Sequence, residues 1–524
     1  MLMHDICRFN ALKNPGGDAL VFEAEARRTW AQLDARVETI ANFLANAGIR
    51  KGDRVCFLAK NCIEAMEVFL ASNRIGALYA PVNYRFAVPE IMQVVQDSRP
   101  KIFIAHREFA DQLREVRDSG AAGFISAWLV IGAQGTGIGD FEAALHDQKP
   151  RDYFPKIEES DVSWICYTGG TTGRPKGVLL THRNMMAGAT NFIITAHIRP
   201  HDTYFVAGAL FHIALAVPIA YWLVGCKVVL ANFEPARSLD LISREGVTHI
   251  LCTGTIFKML VDEMEARPKA NKISLMFCGG APVSPNLVRR AMKLFNAGVA
   301  QIYGQTEVTL MATYLYPEDY AKGLIAVDGT PEAKRMQSVG RAAPLCVARV
   351  VDNDMRTLRH GEVGEIALMS DAVMQGYANM PEQTAETIRN GWLRTGDLGF
   401  MDEDGYIHLV DRKKDMIITG GENVYSAEVE LVLAQHPAIA DAVVIGVPDS
   451  HWGELVTAIV VSAAGKPKDA EDIRNFCRQA LAGYKVPKRV EFVEALPRLP
   501  TGKIAKGALR DQFWAGHDRR IHGN

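Results

Sequence analysis

The chain runs to 524 residues, with 60 acidic against 58 basic side chains, 48% hydrophobic and 23% charged. That length makes room for about three structural units, and a net charge of −2 offers no global attraction to nucleic acid or anionic lipid. The composition is that of an average soluble globular protein, without low-complexity tracts or repeats, which excludes disordered and fibrous architectures.

At the N-terminus, His4, Asp5 and Arg8 interrupt what a secretory signal needs as an unbroken apolar run, so export is not expected and a cytoplasmic location is. Short apolar runs such as RVCFLA, KIFIA, SWICYT, HILCT and LMFCGG alternate with segments of helical period such as EAMEVFLASNRIGALYA, an α/β pattern. Residues 203–226 hold no Asp, Glu, Lys or Arg and are long enough to cross a bilayer. Gly208, His212, Pro218 and Gly225 punctuate them, so the expected parsing is strand, turn, buried helix and then the strand KVVLA at 227–231, not a membrane span.

From about Gly361 the pieces GEIALMS, FMDEDGYIHLV and DMIITG predict a β subdomain joined by Gly and Asp turns. Past the charged cluster DRKKD at 411–415, an α+β module is expected, with helices in SAEVELVLAQH and AEDIRNFCRQALAG and strands in DAVVIGV and LVTAIVVSA. The domain boundary is placed at 411–414, between an N-terminal domain of residues 1–410 and a C-terminal domain of residues 415–524. The tail AGHDRRIHGN lacks apolar periodicity and is expected to fray. Nine scattered cysteines without a C-x-x-C pair predict reduced, buried thiols, not a disulfide framework or a zinc cluster.

The first chemically informative segment runs from Tyr167 through Thr168, Gly169, Gly170, Thr171, Thr172 and Gly173 to Lys176 and Gly177, between a buried-strand pattern and the apolar VLLTH. Glycines let backbone N–H groups approach an anion, threonines add hydroxyl donors and Lys176 adds positive charge, as a phosphate-cradling loop requires. It is not a Walker A loop, because no hydroxyl residue follows Lys176 to hold Mg²⁺ at a helix start. Taken alone, the loop is also compatible with a structural turn.

This string resembles the signature of the adenylate-forming superfamily, which contains acyl-CoA synthetases, firefly-type luciferases and the adenylation domains of peptide synthetases. The resemblance extends in order along residues 20–510. It implies a multidomain α/β fold: a large N-terminal domain of two α/β subdomains plus a small β subdomain, and a small mobile α+β C-terminal domain. In Tyr303-Gly304-Gln305-Thr306-Glu307, the resemblance puts the aromatic ring on adenine, the threonine on the α-phosphate and Mg²⁺ on Glu307, with Thr172 as a further metal contact. A hard cation bridging phosphates does want a carboxylate. Cys278-Gly279-Gly280-Ala281-Pro282 is similar to the small-residue turn that lies against adenine and the acyl group.

Further along, the resemblance makes Asp397 the acceptor of both ribose hydroxyls, Arg412 a ribose or phosphate contact and Lys414 the interdomain hinge. Gly420 and Gly421 would line the pantetheine tunnel, Trp452 and Lys485 would touch CoA, and Lys503 would present its ammonium to the reacting carboxylate and α-phosphate. Two departures stand out. Gly169-Gly170 occupies the place of the family's usual Ser-Gly, which removes one hydroxyl contact to pyrophosphate, and Ser426 replaces a common proline, a change expected to affect stiffness more than chemistry.

The acyl pocket implied by the resemblance involves Phe211, His212 and Ile213, then Thr253 and Gly254, and Gly279. Peptide-synthetase relatives place an aspartate just after the first aromatic to bind an α-ammonium; here His212 follows, which disfavours an amino acid. His212 is expected to shape or gate the carboxylate entrance, the other reading being a core histidine. The expected reaction is AMP-forming ligation of an apolar carboxylic acid to CoA, with ATP as co-substrate and Mg²⁺ as cofactor. Medium- or long-chain fatty acids are favoured over aryl (hydroxycinnamate- or benzoate-like), alicyclic or steroid acids. A catalytically silent nucleotide or acyl-adenylate binding module is the non-enzyme alternative. The expected partners are small molecules, with a homodimer allowed and neither nucleic acid nor a transmembrane span.

Overall fold

The computed structural model describes residues 2–23, 26–146, 148–150, 154–168, 175–280, 283–449, 451–498 and 504–515. Their Cα packing gives two compact units, one holding the chain up to Ala348 together with Leu368–Arg394, the other Arg349–Ala367 and the chain from Thr395.

In the first unit, among the described residues, a nine-stranded sheet has the order Arg341–Ala342, Thr313–Leu315, Gly298–Tyr303, Leu275–Gly279, His249–Thr253, Thr203–Val206, Lys227–Leu230, Asp18–Phe22 and Ala26–Thr29. Its neighbours from Gly298–Tyr303 to Asp18–Phe22 are parallel. An eight-stranded sheet runs Gly376–Tyr377, Lys176–Thr181, Val162–Thr168, Leu78–Pro81, Arg54–Leu58, Ile102–His106, Ala127–Ile131 and Gly139–Asp140. Parallel pairing requires crossovers, here helical, that cover the strand faces, so the strands read as unbroken apolar runs. Val55, Cys56, Phe57 and Leu58 are consecutive and all buried.

Local chemistry sets the helix limits. Thr29 and Gln32 close a capping box ahead of helix Trp30–Asn46, which turns Leu33, Val37, Ile40 and Leu44 inward at helical spacing. The uncharged stretch resolves as strand Thr203–Val206, a turn at Ile213–Leu215, helix Ala216–Val224 and strand Lys227–Leu230, with Gly225 at φ 89° ending the helix. That matches the parsing expected from its punctuation. The run EAMEVFLASNRIGALYA, by contrast, is not one helix: Ile63–Arg74 is helical, Gly76 turns at φ 73° and Leu78–Pro81 is a strand. Among the described residues no helix is long and apolar enough to cross a membrane. All nine cysteines are buried and free of disulfides.

The β pieces expected after Gly361 form strands Gly364–Met369, Trp392–Met401 and Ile407–Arg412, of which residues 364–367, 395–401 and 407–412 belong to the second unit. Beyond them, strand Gly453–Ser462 forms the centre of a further sheet, and strand Ile439–Asp449 pairs along it at the edge. Its alternation builds two cores: Val444, Val456 and Val460 pack with Val429, Leu433, Ile473 and Cys477, while Val443, Ile445 and Ile459 pack with Leu509. Helices Ser426–Leu433 and Ala470–Ala480 cover one face and Lys506–Trp514 the other. Segments 349–367 and 395–410, assigned on sequence to the large domain, group here with the C-terminal module, and residues 411–414 lie inside this unit.

Candidate active site

In the first unit the candidate residues gather where parallel strands end, the usual ligand-binding edge of such sheets. Thr253 is paired with Gly279, and Gly279 with Ile302, at or next to the last positions of three adjacent strands. A Cβ on Gly279 would lie 2.8 Å from Cγ1 of Ile302, so only glycine fits this edge without displacing it. Gly280 turns at φ 78° with open space around its Cα. Gly254 opens the helix Gly254–Ala266 directly after Thr253.

Tyr303 ends its strand, and the chain folds back so that Ala312 N–H donates to Tyr303 O at 2.8 Å and Leu310 N–H to Gln305 O at 3.0 Å. A Cβ on Gly304 would meet the Leu310 carbonyl oxygen at 2.1 Å. Thr309 and Leu310 take φ 50° and 82° to close this turn, a costly conformation for branched side chains. The Thr309 hydroxyl secures it by donating to Ala372 O at 2.7 Å. Within the turn Thr306 is buried and Glu307 half-buried.

Glu307 is held from a distant segment. The phenol of Tyr377 donates to Glu307 Oε1 at 2.8 Å, and Met374 N–H donates to the Glu307 carbonyl at 2.8 Å. Lys176, paired with Thr168 across the base of the hairpin, places its ammonium 5.2 Å from the centre of the Tyr377 ring. Burial lowers the Lys176 pKa, and the Glu307 and Glu386 charges oppose the shift. Burial and the Glu307 charge push the Tyr377 phenol up, which keeps it a donor. A cation, a fixed carboxylate and an aromatic face therefore converge at the hairpin, a set suited to an anionic phosphate chain.

Mg²⁺ fits this donor set. It is commonly held by one or two carboxylates together with substrate phosphates, not by an all-protein cage. Glu307 supplies an oriented carboxylate, and among the described residues no group of three or more His, Cys, Asp or Glu side chains forms a cage.

The residues expected to line the acyl site keep apolar company. Phe211 and Ile213 are buried and His212 is half-buried. Phe211 meets Tyr84 edge-on at 5.4 Å and His212 at 6.3 Å between ring centres.

In the second unit Asp397 and Arg412 are register partners on antiparallel strands, and Arg412 Nε lies 3.0 Å from Asp397 Oδ1. Asp397 is buried, and its N–H donates to Thr395 Oγ1 at 3.1 Å. Burial is the largest cause lowering the Lys414 pKa, with Asp415 opposing and Arg412 reinforcing it. Gly420 and Gly421 turn at φ 60° and 87°. Gly420 N–H donates to Trp452 O at 2.8 Å, and a Cβ on Gly420 would press on the half-exposed indole at 2.9 Å. Those two expectations thus meet in one place. Lys485 is bound to both oxygens of Glu428 at 2.7 and 2.8 Å.

The loop residues Gly169, Gly170, Thr171, Thr172 and Gly173, the turn residues Ala281 and Pro282, and Lys503 lie outside the described residues. Tyr377 is the side chain that sequence reasoning missed. Its strand, Gly376–Tyr377, is two residues long and pairs with Val178 and Leu179 beside Lys176, a placement with no local signal.

The profile of the AMP-binding enzyme family matches residues 7–378, and that of the AMP-binding enzyme C-terminal domain matches residues 428–503. A feruloyl-CoA synthase of an Amycolatopsis species is 37% identical over 489 residues, covering 93% of this chain and 94% of that protein. A long-chain-fatty-acid–CoA ligase of Mycobacterium tuberculosis is 34% identical over 501 residues, 94% of each. Among solved structures, the o-succinylbenzoate CoA synthetase of Bacillus subtilis in complex with its acyl-adenylate intermediate superposes with a TM-score of 0.83 at 28% identity, over 97% of this chain and 98% of that one. With both profiles matched in order and relatives more than 30% identical along nearly the whole chain, the chain belongs to the AMP-binding enzymes, the adenylate-forming superfamily, and is an AMP-forming carboxylate–CoA ligase.

Proposed function

We propose that the enzyme activates an apolar carboxylic acid, with fatty acids of medium or long chain as the first class and aryl acids as the second, through an acyl-adenylate that CoA then intercepts. The observation that carries this reading is the convergence of Lys176 and Glu307 on Tyr377, a charge pair on one aromatic support. The fatty-acid reading draws on the aliphatic run after His212 and on the Mycobacterium relative. The aryl reading draws on the Tyr84–Phe211 edge contact and the feruloyl-CoA synthase relative.

A carboxylate is a poor electrophile, and bonding its oxygen to the α-phosphorus of AMP turns that oxygen into part of a good leaving group. In the first half-reaction a carboxylate oxygen attacks the α-phosphorus, the bond to the β-phosphate breaks, and pyrophosphate leaves. Such transfers are catalysed by positioning and charge stabilisation. In this proposal Lys176 and Lys503 stabilise the phosphate charge, Thr306 donates to the α-phosphate, and Asp397 accepts the ribose hydroxyls with Arg412 beside it. Thr168 to Gly173 cradle the phosphates, and Tyr303, Gly304, Gln305 and the 280–282 turn hold the adenine. Mg²⁺ on Glu307, with Thr172, would neutralise phosphate charge.

In the second half-reaction the CoA sulfur attacks the acyl carbon and AMP departs. We assign residues 1–410 to the adenylation domain and 415–524 to a mobile domain that turns about Lys414, exchanging Lys503 for the Gly420–Gly421 loop. Trp452, packed on Gly420, and Lys485 are the further CoA contacts, and His212 gates the acid, whose chain or ring lies along Phe211, Ile213, Thr253, Gly254 and Gly279. Nine unpaired, buried cysteines support a reducing, cytoplasmic setting, and a homodimer is compatible with this scheme.

The test is acyl-CoA formation by mass spectrometry across fatty, aryl and alicyclic acids with ATP, Mg²⁺ and CoA, recording AMP and pyrophosphate. Thioester with equal AMP supports the proposal, and the preferred acid fixes the class. ATP binding without pyrophosphate release for any acid would replace it with a silent binding module.

A further inference from the structure

The hinge segment carries a second set of contacts that the proposed turning about Lys414 must break, and their role in the reaction rests on that reading of the hinge. Asp411 precedes Lys414 in the chain; Ser426 and Lys506 come after it. Ser426 is fully buried, and its hydroxyl donates to Asp411 Oδ2 at 2.9 Å, an oxygen that also accepts from Ala427 N–H at 3.3 Å. From the other side Lys506 Nζ donates to Ser426 Oγ at 2.8 Å and pairs with Glu430 Oε1 at 2.7 Å. The hydroxyl thus gives its one proton to Asp411 while accepting from Lys506.

One helical turn beyond Lys506, Arg510 donates to the Lys414 carbonyl oxygen at 2.8 Å and to Asp415 Oδ1 at 3.1 Å. The two sets of bonds respond differently to a rotation about the backbone bonds of Lys414. Its carbonyl oxygen, Asp415 and Arg510 move together, so the Arg510 bonds survive. Asp411 stays behind, so its bond to Ser426 is lost.

We propose that Ser426 is a positioning residue for the two-step reaction: backed by Lys506, it latches Asp411 and holds the module in one of its two hinge settings. Proline at this place would have no hydroxyl and could not form the latch. A buried hydrogen bond to a carboxylate, with an ammonium behind it, belongs to the stronger class of such bonds. The latch therefore biases the balance between the half-reactions.

Ser426→Pro and Ser426→Ala test this in the full chain. Ser426 opens the helix Ser426–Leu433, where proline is favoured, and Tyr425 at φ −86°, ψ 115° already has the extended backbone that a following proline imposes. Two readouts are taken: trypsin cleavage after Arg412, Lys413 and Lys414, and the separate rates of pyrophosphate release and of acyl transfer from the acyl-adenylate to CoA, using the best acid from the substrate screen. The expected result is faster cleavage in both variants and a ratio of the two rates shifted by about fivefold or more, the effect of one net hydrogen bond. Unchanged cleavage overturns the latch, and faster cleavage with an unchanged ratio overturns its role in the reaction. Lys414→Pro is run alongside. Selective loss of thioester formation there keeps the hinge reading whatever Ser426 does, whereas equal loss of both half-reactions removes that reading and the proposal with it.

Discussion

The phenol of Tyr377 donates to Glu307 Oε1 at 2.8 Å across a sequence separation of 70 residues. That bond fixes one carboxylate oxygen and leaves the orientation of the other determined by it. A hydrogen bond to a charged group contributes about 1.5–3 kcal/mol. Tyr377→Phe keeps the ring under the Lys176 ammonium and removes only this bond. The adenylation rate is expected to fall by roughly 10- to 100-fold, with a larger dependence on Mg²⁺ concentration. Pyrophosphate release over a Mg²⁺ titration measures both; a rate equal to that of the unaltered enzyme would show that Glu307 needs no orienting partner.

Much of this site was legible in the sequence. Gly279 and Gly304 sit in short strings whose small residues match the close approaches found there, and the turn that makes Gly304 obligatory is closed within ten residues. Tyr377 and Ser426 were not legible, for different reasons. Tyr377 acts through a two-residue strand at a sheet edge, where tertiary pairing alone brings it to Lys176 and Glu307. Ser426 reads from sequence as a change in stiffness; its burial against Asp411 and Lys506 depends on a helix 80 residues away. The run at 64–80 misled because its apolar residues suit a helix and a buried parallel strand equally, and only Gly76 marks the break.

The lowered pKa of Lys176 gives a pH dependence with a definite sign. Burial disfavours the ammonium, so the charge is lost at a lower pH than the ordinary lysine value of 10.5. Phosphate stabilisation needs the charged form, so kcat/KM for ATP, which reports the free enzyme, should decline early on the alkaline side. Lys176→Arg retains its charge to higher pH, and its alkaline limb should move upward even if the maximal rate is lower. Superimposable limbs in the two enzymes would assign the titration to another group.

Gly304→Ala is expected to damage fold and site together. The added Cβ would lie 2.1 Å from the Leu310 carbonyl oxygen and 3.0 Å from Ala312 N, both backbone atoms that cannot swing aside. The turn must open, at a cost of roughly 1–3 kcal/mol or more. Urea unfolding should show the loss, and adenylation should fall beyond it because Thr306 and Glu307 ride on the same turn. Stability equal to the parent would mean that the turn has a second conformation able to admit a side chain.

Lys503→Ala is expected to lower adenylation by about 10²–10³-fold, the usual cost of deleting one group that stabilises developing charge. Transfer of a supplied acyl-adenylate to CoA should be far less affected, since the proposed mechanism gives that step to the Gly420–Gly421 loop and withdraws Lys503. Rapid-quench assays of each half-reaction separate the two. An unchanged adenylation rate would defeat the assignment of Lys503.

Acid should weaken the first unit through His182. The side chain is buried at the start of helix His182–Ala196, its Nδ1 accepts Met3 N–H at 3.3 Å, and the His4 ring lies 6.1 Å away. Burial and then the neighbouring His4 push its pKa from 6.5 down to about 4, with Asp161 and Asp5 opposing. As pH falls below 6.5 the unfolded chain takes up a proton that the folded one refuses, so stability declines until the folded state also protonates near pH 4. The full shift corresponds to about 3 kcal/mol. His182→Gln can still accept from Met3 but does not titrate, so its urea-unfolding free energy should fall less steeply through that window. Parallel pH dependences in the two proteins would place the acid sensitivity elsewhere.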